Sequence, residues 1–277
     1  MRKSAIRLLW FTAILVVVAF FVFGVYTVPT VSMSPTVIAG DLVIVNRFRY
    51  GISTWNSLPI VGYVLPYYKL VSFSSPKRGD VVVYAFPGQR DEVLPRTNEI
   101  YMKRCIALAG DTIRIVNDTV YVNGKRSLSD SVTIFTMSVE SRKMRDESDQ
   151  YRLSPAGKDW TPSDYGPLRI PRKGDIINLV DVHWSSWGVF IAREGHNVNE
   201  RTRTIDGVVA KHYVVERDYI FCMGDNRDNS MDSRFTGFVP EDNVFGSPIC
   251  ALWNSGSDAP RDRRYSEGQQ SYPRLVR

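Results

Sequence analysis

The chain has little of the chemistry that cysteine and histidine supply. Of 277 residues only Cys105, Cys222 and Cys250 are cysteines. Three cannot all pair within one chain, and no Cys-x-x-Cys occurs. They read as small buried apolar residues with room for one disulfide. None lies in a nucleophile signature, which argues against a cysteine protease. His183, His196 and His212 show no metal-ligand spacing and sit in no recognisable catalytic motif. Neither a metal nor a cofactor is expected. There is no internal repeat. The net charge is +6, but no RNA- or DNA-binding motif goes with it. The positive residues are scattered, with small groups at Arg2–Lys3, Arg201–Arg203 and Arg261–Arg264. Nucleic acid is therefore not an expected partner, and an anionic membrane surface is the better functional reading of the charge.

Charge itself is absent between Arg7 and Asp41. The apolar run that opens at Leu8 is long enough to cross a bilayer as one helix, which takes roughly 20 residues. Arg2, Lys3 and Arg7 precede it, so the N-terminus is expected to stay cytoplasmic while the rest is exported. Trp10 and Tyr26 could mark the two interfaces. A small-x-small cleavage site is also missing. Gly24 to Thr30 is bulky and β-branched and contains Pro29. An uncleaved anchor over 8–27, after a cytoplasmic segment 1–7, is expected rather than a removed leader. The window Ile60 to Pro66 is too short and broken to span.

Beyond the run, short β-branched stretches alternate with turn residues. Asp41 to Asn46, Asp80 to Phe86 and Ile100 to Ala107 read as strands. Thr112 to Val116 and Thr119 to Val122 read as a hairpin around Asn117-Asp118, with a further turn at Asn123-Gly124. The expected fold is mainly β: an N-terminal transmembrane helix, then an exported all-β catalytic domain of two antiparallel sheets or a partly open barrel. Its parts are a first core segment 28–126, an inserted or accessory β region 127–207, a second core segment 208–254 and a polar tail 255–277. Trp184 and Trp187 stand either at an interface or in a core.

Ser32 follows the apolar run closely, in Ser32-Met33-Ser34-Pro35-Thr36. A serine hydroxyl is a weak nucleophile and needs a base beside it. Lysine can serve only when neutral, which burial in an apolar setting favours. Lys103 lies in Tyr101-Met102-Lys103-Arg104-Cys105, where a strand would enter a core, and alternation turns Arg104 to the other face. A dense polar turn, Gly224-Asp225-Asn226-Arg227-Asp228-Asn229-Ser230-Met231-Asp232-Ser233-Arg234, closes the set. Alone, Ser32 reads as a turn hydroxyl, Lys103 as a solvated strand residue and the polar turn as Asx-bonded structure.

Taken in order, with Gly40-Asp41, Arg78-Gly79-Asp80 and Gly110-Asp111 between them, these segments resemble bacterial type I signal peptidase, a membrane-anchored Ser/Lys protease. The resemblance covers the anchor, the core strands and the polar turn, and little of 127–207. It implies Ser32 as nucleophile and Lys103 as general base. Thr30, where the family often has serine, and the Ser32 N–H would form the oxyanion hole. Ser230 would orient the lysine ammonium, and Asp225, Asp232 and Arg234 would hold the turn. Tyr26, Val28, Pro29, Met33, Val37, Val43, Val83, Tyr101 and Met102 would line pockets for small residues of the Ala-x-Ala type. The implied partners are signal-peptide-bearing preproteins and membrane phospholipids. The implied place is the bacterial cytoplasmic (inner) membrane, crossed once, with the catalytic domain on the extracytoplasmic side; the long insertion looks more like the Gram-negative form. Two other readings fit less well. A self-cleaving Ser/Lys repressor is soluble and carries a DNA-binding domain, which this chain lacks. An inert anchored β-domain that binds exported chains has no need of both Ser32 and Lys103.

Overall fold

The computed structural model describes residues 6–7, 9–12, 22–54, 67–95, 99–133, 137, 152–155, 159–180, 184–256 and 271–276. The fold is mainly β. Its largest sheet has eight strands. In chain order they are β1 (Phe23–Thr27), β2 (Asp41–Asn46), β3 (Val81–Ala85), β4 (Ile100–Ala107), β5 (Tyr219–Met223), β6 (Val239–Pro240), β7 (Val244–Asn254) and β8 (Arg274–Leu275). They lie in the order β1-β2-β7-β3-β4-β5-β6, with β8 against β7, and all pair antiparallel.

The run Val81-Val82-Val83-Tyr84 has no polar member because both of its faces are covered. Val81 and Val83 pack with Val43, Val45 and Phe245. Val82 and Tyr84 pack on the other side with Cys105, Ile220 and Cys222. A strand buried twice reads as continuous rather than alternating hydrophobicity.

A second sheet of four strands, Tyr165–Arg169, Thr112–Val116, Thr119–Val122 and Lys125–Arg126, lies in that order. Its hairpin turns at Asn117 (φ 46°) and Asp118 (φ 66°), and the next at Asn123 (φ 52°) and Gly124 (φ 76°). Both central residues have positive φ, the twist a two-residue hairpin needs and the reason for Asn, Asp and Gly there. Among the described residues three smaller sheets of two or three strands accompany these. Tyr165–Arg169 comes from the stretch set apart as an insertion, yet it pairs directly with Thr112–Val116. The same stretch holds a ten-residue helix, Trp184–Arg193. Trp184 is buried with Leu179, Ile191 and Tyr213, and Trp187 stacks on Phe238. Both tryptophans are core residues.

The expected membrane helix over 8–27 needs one correction. Residues 8 and 13–21 of it lie outside the described residues. Among the described residues, 9–12 and 22 are helical, and no helix is long and apolar enough to cross a membrane. Phe23–Thr27, however, is strand β1, paired residue by residue with β2 from Phe23↔Asn46 to Thr27↔Leu42. Gly24 is a poor helix former, and Val25, Tyr26 and Thr27 suit a pleated edge. The helical stretch therefore ends by Val22.

Candidate active site

β4 positions the lysine. Lys103 lies opposite Val82 in the β3–β4 register and shares a face with Tyr101 and Cys105 by alternation. Its side chain is enclosed, with 5% of the residue exposed. Burial lowers the amine pKa from 10.5 to about 8, against the opposing pull of Asp232, Cys222 and Asp225. Nζ lies 5.1 Å from the centre of the Tyr101 ring. Tyr101 is held in turn by stacking on Phe86 at 4.4 Å.

Ser32 reaches the same point from a turn between β1 and β2. Lys103 Nζ is 2.8 Å from Ser32 Oγ and 3.2 Å from the Met102 carbonyl, to which it donates. Thr30 Oγ1 is 3.1 Å from Ser32 Oγ. The turn is tied down from the far end of the chain. Asn226 N–H donates to the Ser32 carbonyl at 3.1 Å, and Asn226 Nδ2 donates to the Val31 carbonyl at 3.3 Å. Gly224 has no room for a side chain, since a Cβ there would lie 2.5 Å from the Ser32 carbonyl oxygen and would run into Ser230 Oγ.

Two buried ion pairs hold the polar turn. Arg104, on the face of β4 opposite Lys103, grips Asp225 with Nε at 2.8 Å and Nη2 at 2.7 Å. The same guanidinium donates to the Gly79 carbonyl at 2.7 Å and to Thr36 Oγ1 at 3.2 Å, and Thr36 donates to Asp225. Arg234 grips Asp232 through Nε and Nη2, both at 2.9 Å. Asp232 also accepts from the Gly224 N–H at 3.1 Å and caps the short helix Ser233–Thr236. Burial would raise the Asp232 pKa, but the Arg234 charge and hydrogen bonds, with the Gly224 N–H, outweigh it and hold the carboxyl below its ordinary value. Ser230 is buried beside Gly224. Lys103 Nζ bonds to Ser32 and the Met102 carbonyl rather than to Ser230.

A cleft of about 510 Å³ opens over Ser32 and Lys103. Tyr26, Val28, Pro29, Met33, Val83, Tyr101 and Met102 all line it. Val37 and Val43 do not. Both are fully buried in the core beneath, with Val45 and Phe245. Alternation carries Val43 inward, with Leu42 and Ile44 only half-buried. Gln89, Glu99, Asn229 and Met231 line the cleft as well, and sequence reasoning passed them over. Gln89 lies on a loop with no motif. Asn229 and Met231 stood inside the polar turn, where only their register with Ser230 and Asp232 could have singled them out. Among the described residues no group of three or more His, Cys, Asp or Glu side chains could hold a metal.

The family model for signal peptidase, peptidase S26, matches residues 1–253. The chain is 28% identical over 265 residues to signal peptidase I of Aquifex aeolicus (strain VF5), covering 92% of this chain and 85% of that protein. It is 29% identical over 239 residues to signal peptidase I of Buchnera aphidicola subsp. Acyrthosiphon pisum (strain APS), covering 85% and 69%. It is 28% identical over 268 residues to signal peptidase I of Pseudomonas aeruginosa PAO1, covering 88% and 69%. A solved signal peptidase I from Enterococcus faecalis V583 aligns at 21% identity over 64% of this chain and 98% of that one, with a TM-score of 0.28, too low to argue from.

Proposed function

The chain belongs to the signal peptidase family, peptidase S26, whose members are hydrolases, and from that membership we propose that it removes signal peptides from exported preproteins with Ser32 as nucleophile and Lys103 as general base. The observation that carries the reading is the 2.8 Å separation of Lys103 Nζ and Ser32 Oγ in an enclosed, apolar setting. With Lys103 charged, Nζ donates to Oγ. With Lys103 neutral, the Oγ–H can donate to the amine lone pair, and Oγ is then poised to attack. Lys103 takes the serine proton as the Oγ–C bond forms. It returns that proton to the leaving amine as the peptide bond breaks. A water then hydrolyses the acyl-enzyme with the same amine as base. The test is cleavage of a preprotein by the purified protein beside Ser32→Ala. Equal cleavage by both would overturn the reading.

Two extended segments, residues 26–30 and 100–103, face each other across the cleft. This supports an extended substrate lying between them and bonding to both backbones. Met33 and Val83 give the cleft apolar lining, which supports small apolar side chains near the cut, as in Ala-x-Ala, with large ones rejected by overlap. Arg2, Lys3 and Arg7 before the apolar run support an anchor with a cytoplasmic N-terminus in contact with phospholipid. Alkaline carbonate should leave the protein in the membrane fraction if that anchor holds.

The pH dependence follows from Lys103. The free enzyme should gain kcat/KM as pH rises through about 8, where the amine loses its proton. At pH 7 roughly one molecule in ten carries the neutral base. NMR titration of the labelled amine checks this directly. An ordinary value near 10.5 would remove the proposed base.

Thr30 supports an oxyanion hole together with the Ser32 N–H. Thr30→Val keeps the shape and removes the donor. It is expected to lower kcat by roughly 10²-fold with little change in KM, the cost typical of one oxyanion donor. Thr30→Ser should retain activity. If Thr30→Val matched the parent in steady-state kinetics, the oxyanion role would pass to another group.

A further inference from the structure

The helix Trp184–Arg193 sits outside the sheet that carries Ser32 and Lys103, yet its last residue reaches the cleft wall. Arg193 Nε donates to the Glu92 carbonyl at 2.9 Å, Nη2 donates to the Gln89 carbonyl at 2.5 Å, and Nη1 donates to the Thr236 carbonyl at 3.1 Å. The first two acceptors belong to the β3–β4 connection. Residues 89–92 of it form a turn closed by Glu92 N–H on the Gln89 carbonyl at 2.9 Å and by Gln89 N–H on the Glu92 carboxylate at 2.9 Å. Both carbonyls of that turn therefore face one guanidinium. Gly88 (φ +105°) lets the chain approach it, and a Cβ there would lie 3.3 Å from Arg193 Nη2.

Gln89, the residue so gripped, lines the substrate cleft. Its loop leaves the sheet at the end of β3 away from Lys103. Phe86 N–H bonds to the Glu99 carbonyl at the start of β4. From there Lys103 is four residues along the strand, about 13 Å at the usual rise. Burial of the guanidinium depresses its pKa to about 10. A charge taken so far out of water is costly unless hydrogen bonds offset it, and here the Glu92, Gln89 and Thr236 carbonyls do so.

We propose that Arg193 is a positioning residue for substrate: it fixes the 89–92 turn as the wall that meets the extended chain several residues from the scissile bond, and so makes the Trp184–Arg193 helix part of substrate selection. This rests on the protease reading above. Arg193→Met removes all three donors and keeps an apolar stem. Arg193→Lys keeps the charge but puts its donors on one nitrogen, without the planar fork that spans the Gln89, Glu92 and Thr236 carbonyls. Two peptides separate the roles, one confined to the residues beside the scissile bond and one extended through the cleft in both directions.

For Arg193→Met, KM for the extended peptide is expected to rise about tenfold, with kcat on either peptide moving less than twofold. The amides of residues 89–92 should exchange with solvent at least tenfold faster. Gln89→Gly, on the exposed loop, should reproduce the KM rise without loss of stability, which covers the case in which Arg193→Met fails to fold. A folded Arg193→Met with unchanged KM for the extended peptide, or with kcat falling equally on both peptides, would overturn the proposal. So would a Gln89→Gly with parental KM. The exchange measurement can be made on Ser32→Ala with the extended peptide bound, where protection of residues 89–92 is expected. It stays informative if no peptide is cleaved at all, the outcome that would instead sink the protease reading.

Discussion

Cleavage by Ser32→Ala and by Lys103→Met is expected to fall by roughly 10⁴-fold or more, since nucleophile and base act as one unit. Lys103→Arg should fail as completely, because a guanidinium stays charged and cannot take the serine proton. Stability should move the other way for one of these variants. In the unfolded chain the Lys103 amine holds its proton up to about pH 10.5, and in the folded chain only up to about pH 8. Between those values the unfolded state binds more protons, so the folded state gains stability as pH rises across the window. Below about pH 8 the cost of enclosing the charge is fully present. At about 1.4 kcal/mol per pKa unit it is on the order of 3 kcal/mol. Lys103→Met removes that cost and should be more stable than the parent at pH 7, with the gap closing towards pH 10.5. Urea melts of both proteins at several pH values check this. Substantial cleavage by any of the three folded variants would end the Ser/Lys assignment, and a Lys103→Met less stable than the parent at pH 7 would contradict the burial argument.

What could be read from sequence follows local chemistry. The turn at Asn117-Asp118 was legible because positive φ at two successive residues leaves few residue types to choose from. Ser32 and Lys103 were legible as a pair because a lysine among apolar strand residues needs a reason, and an ordered set of motifs supplied one. The misreadings have equally local causes. The apolar run gave little sign of ending at Val22, because Phe23 to Thr27 is as free of charge as what precedes it, and the pairing with β2 makes it a strand. Val37 and Val43 were placed at the substrate by the family resemblance. Burial in the tertiary core decides otherwise. The Trp184–Arg193 helix carries Gly188 and three aromatic residues of middling propensity, so packing rather than local preference makes it helical. Arg193 left no trace in the sequence at all, since its partners are backbone carbonyls, which every residue has.

Asp225→Ala is expected to cost about 3–5 kcal/mol, the loss typical of removing one partner of a buried ion pair. The carboxylate is 1% exposed and the Arg104 side chain 5%, so removing one partner strands the other charge away from water. The Arg104 fork meets both carboxylate oxygens, which adds geometric specificity to the pair. Thr36 would lose its acceptor in the same change. Removing both charges should cost less than the sum of the two single changes. Arg104→Met with Asp225→Ala is therefore expected to show a coupling above 1 kcal/mol in a double-mutant cycle. Activity should follow for a geometric reason. Asn226, next in the chain, holds the Ser32 carbonyl, so loosening Asp225 loosens the turn that aims Oγ at Lys103. Folded Asp225→Ala at low temperature should then show a lower kcat, with its pH profile moved to lower pH because one of the charges that hold the Lys103 pKa up is gone. Additive losses in the cycle would mean that the pair is not a unit, and an unchanged kcat would mean that the polar turn holds the fold without aiming the serine.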